Sequence, residues 1–165
     1  MSEPVPPRVG IVVGSRSDIA AAEKASAILD ELGVPSDVRV ISAHRAPDLL
    51  ARFAATAEAR GIRVYIAVAG LAAHLPGVLA SQTTAPVIGV PMPGGVADGL
   101  DALLAVVQMP KGVPVATVGV GNGENAGLLA AAILAVSDPA LAQRLVARRA
   151  AQAEAIAADP ANEGL

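Results

Sequence analysis

The chain of 165 residues has no cysteine and no tryptophan, and its aromatic side chains are one phenylalanine, Phe53, and one tyrosine, Tyr65. The absence of cysteine excludes disulfides, thiolate nucleophiles and cysteine-ligated zinc. So few aromatics leave no platform on which nucleic-acid bases could stack. The only lysines are Lys24 and Lys111 and the formal net charge is -3, so no basic stripe can follow a phosphate backbone. We therefore expect no nucleic-acid partner.

Long apolar runs are also missing, although 53% of the residues are hydrophobic and only 16% are charged. No run approaches the roughly 20 residues that span a bilayer, and residues 1–8 contain no apolar signal core. We therefore expect a cytoplasmic protein with no membrane partner. The charged share is low against the roughly 25% usual in globular domains. This favours a homo-oligomer, because obligate interfaces resemble a domain core cut in two.

Strand-like and helix-like segments alternate along the chain. Strands are predicted at residues 8–13, 37–41, 62–69, 86–90 and 113–120, and helices at 18–32, 47–60, 76–82, 100–108, 125–136 and 139–158. Helical connections imply parallel strands with right-handed crossovers, and nearly continuous apolar strands imply burial on both faces. We predict a single domain over residues 1–165, with a core over about residues 8–138. Its fold class is α/β, a three-layer αβα sandwich on a parallel flavodoxin-like (Rossmann-like) sheet.

The residues suited to chemistry lie in the loops that leave the carboxyl ends of these strands, where ligands bind in sheets of this kind. The loops cover residues 14–18, 42–45, 70–77, 91–95 and 119–125. The chain has two histidines, His44 and His74, and they lie in the second and third loops. Because histidine exchanges protons near neutral pH, these two loops are the first candidates for catalysis.

The first loop combines a glycine, two serines and an aspartate. Gly14 lets a ligand approach the backbone, Ser15 and Ser17 offer hydroxyls, and the free amides of the following helix favour an anion. Asp18 suits ribose hydroxyls, but it equally suits a helix cap. The Gly-Lys-Ser/Thr ending of a P-loop is missing.

The second loop places an arginine beside a histidine. Arg45 offers a planar fork for phosphate or carboxylate, and His44 offers a proton relay. The structural alternative is that Arg45 pairs with a surface acid and that His44 caps the next helix. The position at a strand end favours the functional interpretation.

The third and fifth loops are less specific. For His74 a hydrogen bond to a neighbouring loop competes with a ligand role, and we favour binding over catalysis. The glycines of loop 119–125 follow the last strand and lack the spacing of a dinucleotide fingerprint, so turns and packing explain them better. Two histidines without cysteines make a poor metal site, and the Gly-x-Ser-x-Gly elbow of serine hydrolases is absent.

Six short motifs follow one another along the chain. They are Gly-Ser-x-Ser-Asp at 14–18, Ser-Ala-His-Arg-x-Pro at 42–47, Ala-Ala-His-Leu-Pro-Gly at 72–77, Pro-Val-Ile-Gly-Val-Pro at 86–91, Val-Gln-Met-Pro-x-Gly-Val-Pro-Val at 107–115 and Asn-Ala-Gly-Leu-Leu-Ala at 125–130. On these motifs the chain resembles the class I N5-carboxyaminoimidazole ribonucleotide mutases, the phosphoribosylaminoimidazole carboxylase catalytic subunit family. The resemblance covers about residues 9–149.

The resemblance implies an isomerase of de novo purine (IMP) biosynthesis that uses no cofactor and no metal. Its ribonucleotide substrate would lose CO2 from N5 and recapture it at C4, which yields 4-carboxy-5-aminoimidazole ribonucleotide. His44 matches the catalytic acid and base. The matching substrate-binding positions are Gly14, Ser15, Ser17, Asp18, Ser42, Ala43, Arg45, Gly70, Leu71, Ala72, His74 and Leu75.

The resemblance also implies an octamer, in which the helix at about 139–158 packs on a neighbouring subunit, and a transient contact with the ATP-dependent synthetase that supplies the substrate. The chain departs from the family at two positions, because Val68 and Leu71 stand where glycine is usual. Leu71 lies in the predicted CO2 pocket and would narrow it. A glycine needed for close approach or positive φ tolerates such replacement badly.

Three alternatives stay open. The nearest is a class II enzyme that carboxylates aminoimidazole ribonucleotide directly with CO2. The second is another nucleotide carboxylase or decarboxylase of the same superfamily. The third is a non-catalytic nucleotide-binding module, which would need Arg45 and the serines but not His44.

Overall fold

The computed structural model describes residues 5–164. Its five strands form one parallel sheet in the order β2-β1-β3-β4-β5. The strands are β1 (Val9–Val13), β2 (Ser36–Val40), β3 (Val64–Ala69), β4 (Val87–Pro91) and β5 (Ala116–Thr117). The helices are α1 (Ile19–Glu31), α2 (Pro47–Ala57), α3 (Leu75–Ala80), α4 (Leu100–Val107), α5 (Gly123–Ala135) and α6 (Pro139–Ala157), with 3-10 turns at Arg16–Asp18, Val96–Gly99 and Pro160–Asn162. The predicted fold class is confirmed.

The strand order reverses at β1, which lies between β2 and β3. The register aligns Val13 with Val40 on one side and with Val68 on the other. The carboxyl ends of these three strands therefore lie side by side, and the loops that follow them meet at one point. Ligands bind at such a switch point in parallel sheets because the loops on either side of it diverge.

The sheet separates two apolar cores. The three central strands, β1, β3 and β4, are buried along their whole length, as their continuous apolar sequences predict. One core packs the sheet against α1 and α5, with Leu141 of α6 at its border. The other packs the opposite face against α2, α3 and α4, and it contains both aromatic side chains, Phe53 and Tyr65.

Helices α1 and α5 approach each other through small residues. A Cβ added to Gly123 would overlap the carbonyl oxygen of Ala21, and one added to Gly127 would lie 2.7 Å from that of Ala25. Both contacts are with backbone, which cannot move aside without shifting a helix. Close packing of α5 on α1 therefore accounts for these two glycines.

Two predicted elements differ in length from the observed ones. Strand β5 covers two residues instead of 113–120. Pro114 has no amide proton for the ladder, which accounts for the late start of this edge strand. Beyond its end, the Val118 amide still donates to the Gly89 carbonyl of β4 (3.1 Å). Helix α2 ends at Ala57 instead of residue 60. A turn follows it, in which the Ile62 amide donates to the Ala57 carbonyl (3.0 Å) and Gly61 takes a φ of 95°. The other boundaries agree within two residues.

Helix α6 contributes little to the core. Only Leu141 of its 19 residues is buried, and Val146 and Ile156 are mostly exposed. An ion pair joins its Arg148 to Glu31 of α1, with 3.0 Å between Nε and Oε1. Within residues 5–164, no helix is both long and apolar enough to cross a membrane.

Candidate active site

The loops that follow β1, β2 and β3 enclose a cleft of about 840 Å³ at the carboxyl edge of the sheet. This volume is typical of sites for small molecules. The structure brings all of the site residues predicted from the sequence into this one cleft, and Ala69, Met92 and Pro93 complete its lining. The predicted residues are Gly14, Ser15, Ser17, Asp18, Ser42, Ala43, His44, Arg45, Gly70, Leu71, Ala72, His74 and Leu75.

The first loop forms a chain of hydrogen bonds that ends on Asp18. The Ser17 hydroxyl donates to Asp18 Oδ1 (3.0 Å) and lies 2.8 Å from the Ser15 hydroxyl. Since the one proton of Ser17 is directed at Asp18, Ser15 donates to Ser17. Asp18 makes no side-chain cap on α1, so the structure does not bear out a capping role. Its carboxylate faces the cleft beside two oriented hydroxyls.

The second loop holds Arg45 against the first. Its Nε donates to the Ser42 hydroxyl (3.3 Å), and its Nη2 donates to the Gly14 carbonyl (3.3 Å). Within residues 5–164, no carboxylate pairs with Arg45. Ala46, not His44, occupies the N-cap of α2. Neither structural alternative for this loop occurs, and the guanidinium is held in the cleft by neutral acceptors with its charge uncompensated.

His44 and His74 form a pair across the cleft. Nε2 of His44 lies 2.9 Å from Nδ1 of His74, and the two rings are nearly perpendicular, with their centroids 5.0 Å apart. One proton must lie between these two nitrogens, so the bond couples the tautomers of the rings. The neighbouring-loop hydrogen bond considered for His74 therefore exists, and its partner is the other candidate residue. The sequence alone did not predict this pair, because it requires β2 and β3 to flank β1.

Leu71 has an unusual backbone conformation, with a φ of 55° in the left-handed region. Glycine adopts this conformation easily, whereas leucine is strained there. Its side chain is 63% exposed. Val68, the other residue at a usual glycine position, is fully buried in β3 with an ordinary φ. Of the two departures from the family pattern, only Leu71 stands where the backbone itself favours glycine.

The charged side chains that line the cleft are Asp18 and Arg45, beside the two histidines. Among residues 5–164, no group of three or more His, Asp or Glu side chains is placed to hold a metal ion. Burial raises the pKa of Tyr65, and the hydrogen bond from Arg8 lowers the pKa of Asp138. Neither of these residues lines the cleft.

Comparison with known proteins identifies the family to which the chain belongs. A sequence model of the AIR carboxylase family matches residues 8–155. The chain belongs to the AIR carboxylase family. A relative from Mycobacterium tuberculosis named N5-carboxyaminoimidazole ribonucleotide mutase is 52% identical over 155 residues, which are 94% of this chain and 89% of the relative. A phosphoribosylaminoimidazole carboxylase from Schizosaccharomyces pombe is 54% identical over 135 residues, which are 82% of this chain but 24% of that longer protein.

A solved structure agrees with the fold. The crystal structure of Treponema denticola PurE superposes with a TM-score of 0.87 at 29% sequence identity, and the match covers 96% of this chain and 99% of the other. The parallel sheet of this AIR carboxylase family member is therefore the flavodoxin-like sheet that the sequence predicts.

In this AIR carboxylase family member, sequence reasoning missed two cleft residues that follow β4, Met92 and Pro93. The Met92 amide donates to the Ala69 carbonyl (3.0 Å), which draws the fourth loop over the end of β3. The sequence did indicate where these residues lie, because loop 91–95 is one of the five loops predicted to leave the carboxyl edge of the sheet. Loop 119–125 leaves the same edge but does not line the cleft, since it follows the edge strand β5.

Proposed function

We propose that this protein is an N5-carboxyaminoimidazole ribonucleotide mutase. It converts N5-carboxyaminoimidazole ribonucleotide to 4-carboxy-5-aminoimidazole ribonucleotide in purine biosynthesis. The observation that carries the proposal is the His44–His74 pair (2.9 Å) in a cleft that also holds Arg45 and the first-loop hydroxyls. Similarity to relatives named for this activity, such as that from Mycobacterium tuberculosis, supports it.

The polar end of the cleft is suited to the ribose 5-phosphate of the substrate. Nη1 of Arg45 has no protein partner within residues 5–164, so both of its protons are free for a phosphate oxygen. The hydroxyls of Ser15, Ser17 and Ser42 add donors beside it. The Asp18 carboxylate accepts one bond from Ser17 and keeps acceptor capacity for ribose hydroxyls. In this proposal, these five residues bind and orient the ribonucleotide.

His44 then moves the protons of two steps. In the first step the bond between N5 and the carboxylate carbon breaks, CO2 leaves, and His44 gives its proton to the nitrogen. In the second step C4 of the imidazole attacks CO2 to form the new carbon–carbon bond, and His44 takes the C4 proton. The cycle balances because His44 ends in the protonation state in which it began. Histidine suits a group that acts as both acid and base, because its imidazole gives and takes protons near neutral pH.

His74 positions His44 in this scheme. Their hydrogen bond holds the His44 ring against the third loop, so the imidazole presents a defined edge to the ring of the substrate. His74 is the N-cap residue of α3, and its carbonyl accepts from the Val78 amide (2.9 Å), which ties the pair to a regular element. We infer that His74 fixes orientation and tautomer, whereas His44 exchanges the protons.

The test mixes purified protein with freshly made N5-carboxyaminoimidazole ribonucleotide and follows the C4-carboxylated product by ultraviolet absorbance. A parallel sample contains aminoimidazole ribonucleotide with bicarbonate. Rapid product in the first sample alone supports the mutase. Efficient product in the second sample at low bicarbonate would instead support an enzyme that carboxylates aminoimidazole ribonucleotide directly. No product in either sample would contradict both.

We further propose that the protein works in the cytoplasm as a homo-octamer and contacts the ATP-dependent synthetase transiently. The exposed side of α6, with Val146 and Ile156 (70% and 67% exposed), supports an interface there, as does the low share of charged residues. Light scattering of the purified protein should give a mass eight times that of the chain. The variant Val146→Glu should give a smaller species, and an unchanged mass would remove α6 from the interface.

A further inference from the structure

A second cavity lies at the edge of the sheet opposite to the candidate active site. It measures about 680 Å³ and is found where β3 begins, between the end of α2 and the loop that joins α3 to β4. It shares no lining residue with the cleft at the carboxyl edge. Its volume is typical of sites for small molecules, and its lining includes five neutral polar side chains: Tyr65, Ser81, Gln82, Thr83 and Thr84.

The Tyr65 hydroxyl is a buried donor at this cavity. The side chain is 2% exposed, and its ring packs edge-on against Phe53, with 6.1 Å between the centroids. Burial raises the pKa of Tyr65 above the ordinary 10.0, and a hydrogen bond from the Thr83 hydroxyl opposes this. The Ala85 amide donates to Thr83 Oγ1 (3.1 Å), which leaves the Thr83 proton for Tyr65. The Tyr65 oxygen is thus an acceptor for Thr83, and its own proton remains available to a ligand at neutral pH.

The charged side chains of the cavity form a neutral pair at its rim. Nη1 of Arg63 donates to Glu58 Oε1 (3.3 Å). Arg60, a further cation that acts on Tyr65, is paired with Asp37 (2.7 Å). The cleft at the other edge differs, because no carboxylate within residues 5–164 pairs with its Arg45. Uncompensated charge favours a phosphate in the cleft, whereas compensated charge gives the second cavity no preference for an ion.

The neutral groups offer donors and acceptors side by side. The Ser81 hydroxyl donates to the Val78 carbonyl (2.7 Å), so its lone pairs remain for a ligand donor. The Gln82 amide and the Thr84 hydroxyl can each donate and accept. A ligand hydroxyl also does both, so a surface of mixed donors and acceptors suits several hydroxyls held close together.

We propose that this cavity binds a small neutral polyhydroxy ligand, a sugar or a polyol. The Tyr65 hydroxyl donates to one ligand oxygen, and the Arg63–Glu58 pair supplies a donor and an acceptor to adjacent ligand hydroxyls at the rim. Ala54 and Ile62, which also line the cavity, provide apolar surface for the C–H groups of the ligand. The site does not depend on the proposed function, because none of its residues lines the cleft.

The experiment uses Tyr65 as its own reporter. The chain has one tyrosine and no tryptophan, so fluorescence excited in the tyrosine band comes from this cavity. Purified protein is titrated with ribose, glucose and glycerol, and N-acetyltyrosinamide in the same solutions corrects for the solvent. We expect a saturable change with ribose or glucose, with dissociation constants in the millimolar range. If none of the three probes changes the emission beyond that of the reference compound, the cavity holds water only and the proposal is overturned.

Ribose 5-phosphate tests the requirement for a neutral ligand. It should bind several-fold more weakly than ribose at Tyr65, and equal or tighter binding would overturn the proposal. The titrations are repeated in Arg45→Ala, which removes the charge of the cleft, so that the Tyr65 signal is assigned to the second cavity.

Glu58→Gln should reverse this preference, because it leaves Arg63 without its carboxylate. The Glu58 side chain is 87% exposed, so the variant should fold like the parent, and ribose 5-phosphate should then bind several-fold more tightly than it does to the parent. Glu23→Gln makes the same change of charge at an exposed position outside the cavity and is the matched control. A preference that is the same in Glu58→Gln and in Glu23→Gln would overturn the assignment to neutral ligands.

Tyr65→Phe removes the buried donor and keeps the ring. Because this variant loses the reporter, saturation-transfer NMR of ribose protons measures binding to it and to the parent. Ribose should bind several-fold more weakly to Tyr65→Phe, and the melting temperature shows whether the variant is folded. Equal ribose affinity in the folded variant would contradict the role of the hydroxyl and overturn the proposal.

Discussion

The α1–α5 contact and the cleft loops are both rich in small residues, for opposite reasons. In the contact, Gly123 and Gly127 are glycine because any side chain would meet the backbone of α1. In the cleft, the backbone at position 71 favours glycine, and yet a leucine stands there, exposed and strained. Where atoms are crowded, packing limits the size of a side chain. At the open rim of a ligand cleft, a residue that lowers stability can be kept for its function. Changes in the contact should therefore act on stability, and changes in the cleft on activity.

The largest effect should come from His44→Asn. This substitution removes the proposed proton exchange, so turnover should fall by roughly 10²- to 10⁴-fold. Because His44 is exposed and lies outside both cores, the free energy of unfolding should stay close to that of the parent. Steady-state kinetics and urea unfolding measure the two quantities, and calorimetry should find nucleotide affinity largely retained. Undiminished turnover would remove His44 from the mechanism.

Gly123→Ala should have the largest effect on stability. The new Cβ would overlap the Ala21 carbonyl, and overpacking against rigid backbone should lower the free energy of unfolding by about 3 kcal/mol. Gly119→Ala is the matched control, because the nearest atom to its added Cβ is 3.7 Å away, at Asn122. Urea midpoints compare the two. If both variants unfold like the parent, close helix packing does not explain Gly123.

Arg45→Ala tests binding within the cleft. The loss of charged hydrogen bonds to phosphate should raise the dissociation constant for the nucleotide by about tenfold to a hundredfold, with little change in the urea midpoint. Arg16→Ala removes the same charge from a neighbouring exposed position that does not line the cleft. Calorimetric titration of both variants decides the assignment, and equal affinities for Arg45→Ala and Arg16→Ala would contradict it.

The smallest effect, a change in stability, should come from replacing Asp138, which does not line the cleft. The hydrogen bond from Arg8, together with the Leu141 amide, lowers the pKa of Asp138 below the ordinary 3.8. A lowered carboxyl pKa stabilises the fold above the ordinary value, and this contribution disappears as the pH falls through the depressed pKa. Asp138→Asn keeps a capping oxygen but loses the charge, so it should be slightly less stable than the parent at pH 7.

Urea midpoints of Asp138→Asn and of the parent, followed from pH 7 downward, test this assignment. The gap between the two proteins should begin to narrow as the pH falls below the ordinary carboxyl pKa of 3.8. It should close once the pH has passed the depressed pKa, because the carboxyl of the folded parent then becomes neutral as well. A gap that stays the same at every pH would mean that the negative charge of Asp138 contributes nothing to stability.

The sequence predicted strands best where a segment is apolar throughout and is also buried on both faces of the sheet. The apolar runs around Ile11, Ile66 and Ile88 became the three buried central strands, because a strand covered on both faces admits few polar residues. It failed at β5, an edge strand that begins only after Pro114 and is not buried. There, pairing with a single neighbour decides the length, and that neighbour cannot be identified from local sequence.

The cleft could be located from the sequence because strand ends in a parallel sheet share one edge, and residues suited to chemistry follow several of them. The sequence by itself thus determined the fold class and the loops that carry His44, His74 and Arg45. Only the tertiary structure decided that His44 bonds to His74, that Met92 joins the lining, and that Leu71 rests on Gly95 with a positive φ. The physical reason is that periodicity and composition are local properties. These contacts instead depend on strand order and on the path of each loop, which are set when the whole sheet assembles.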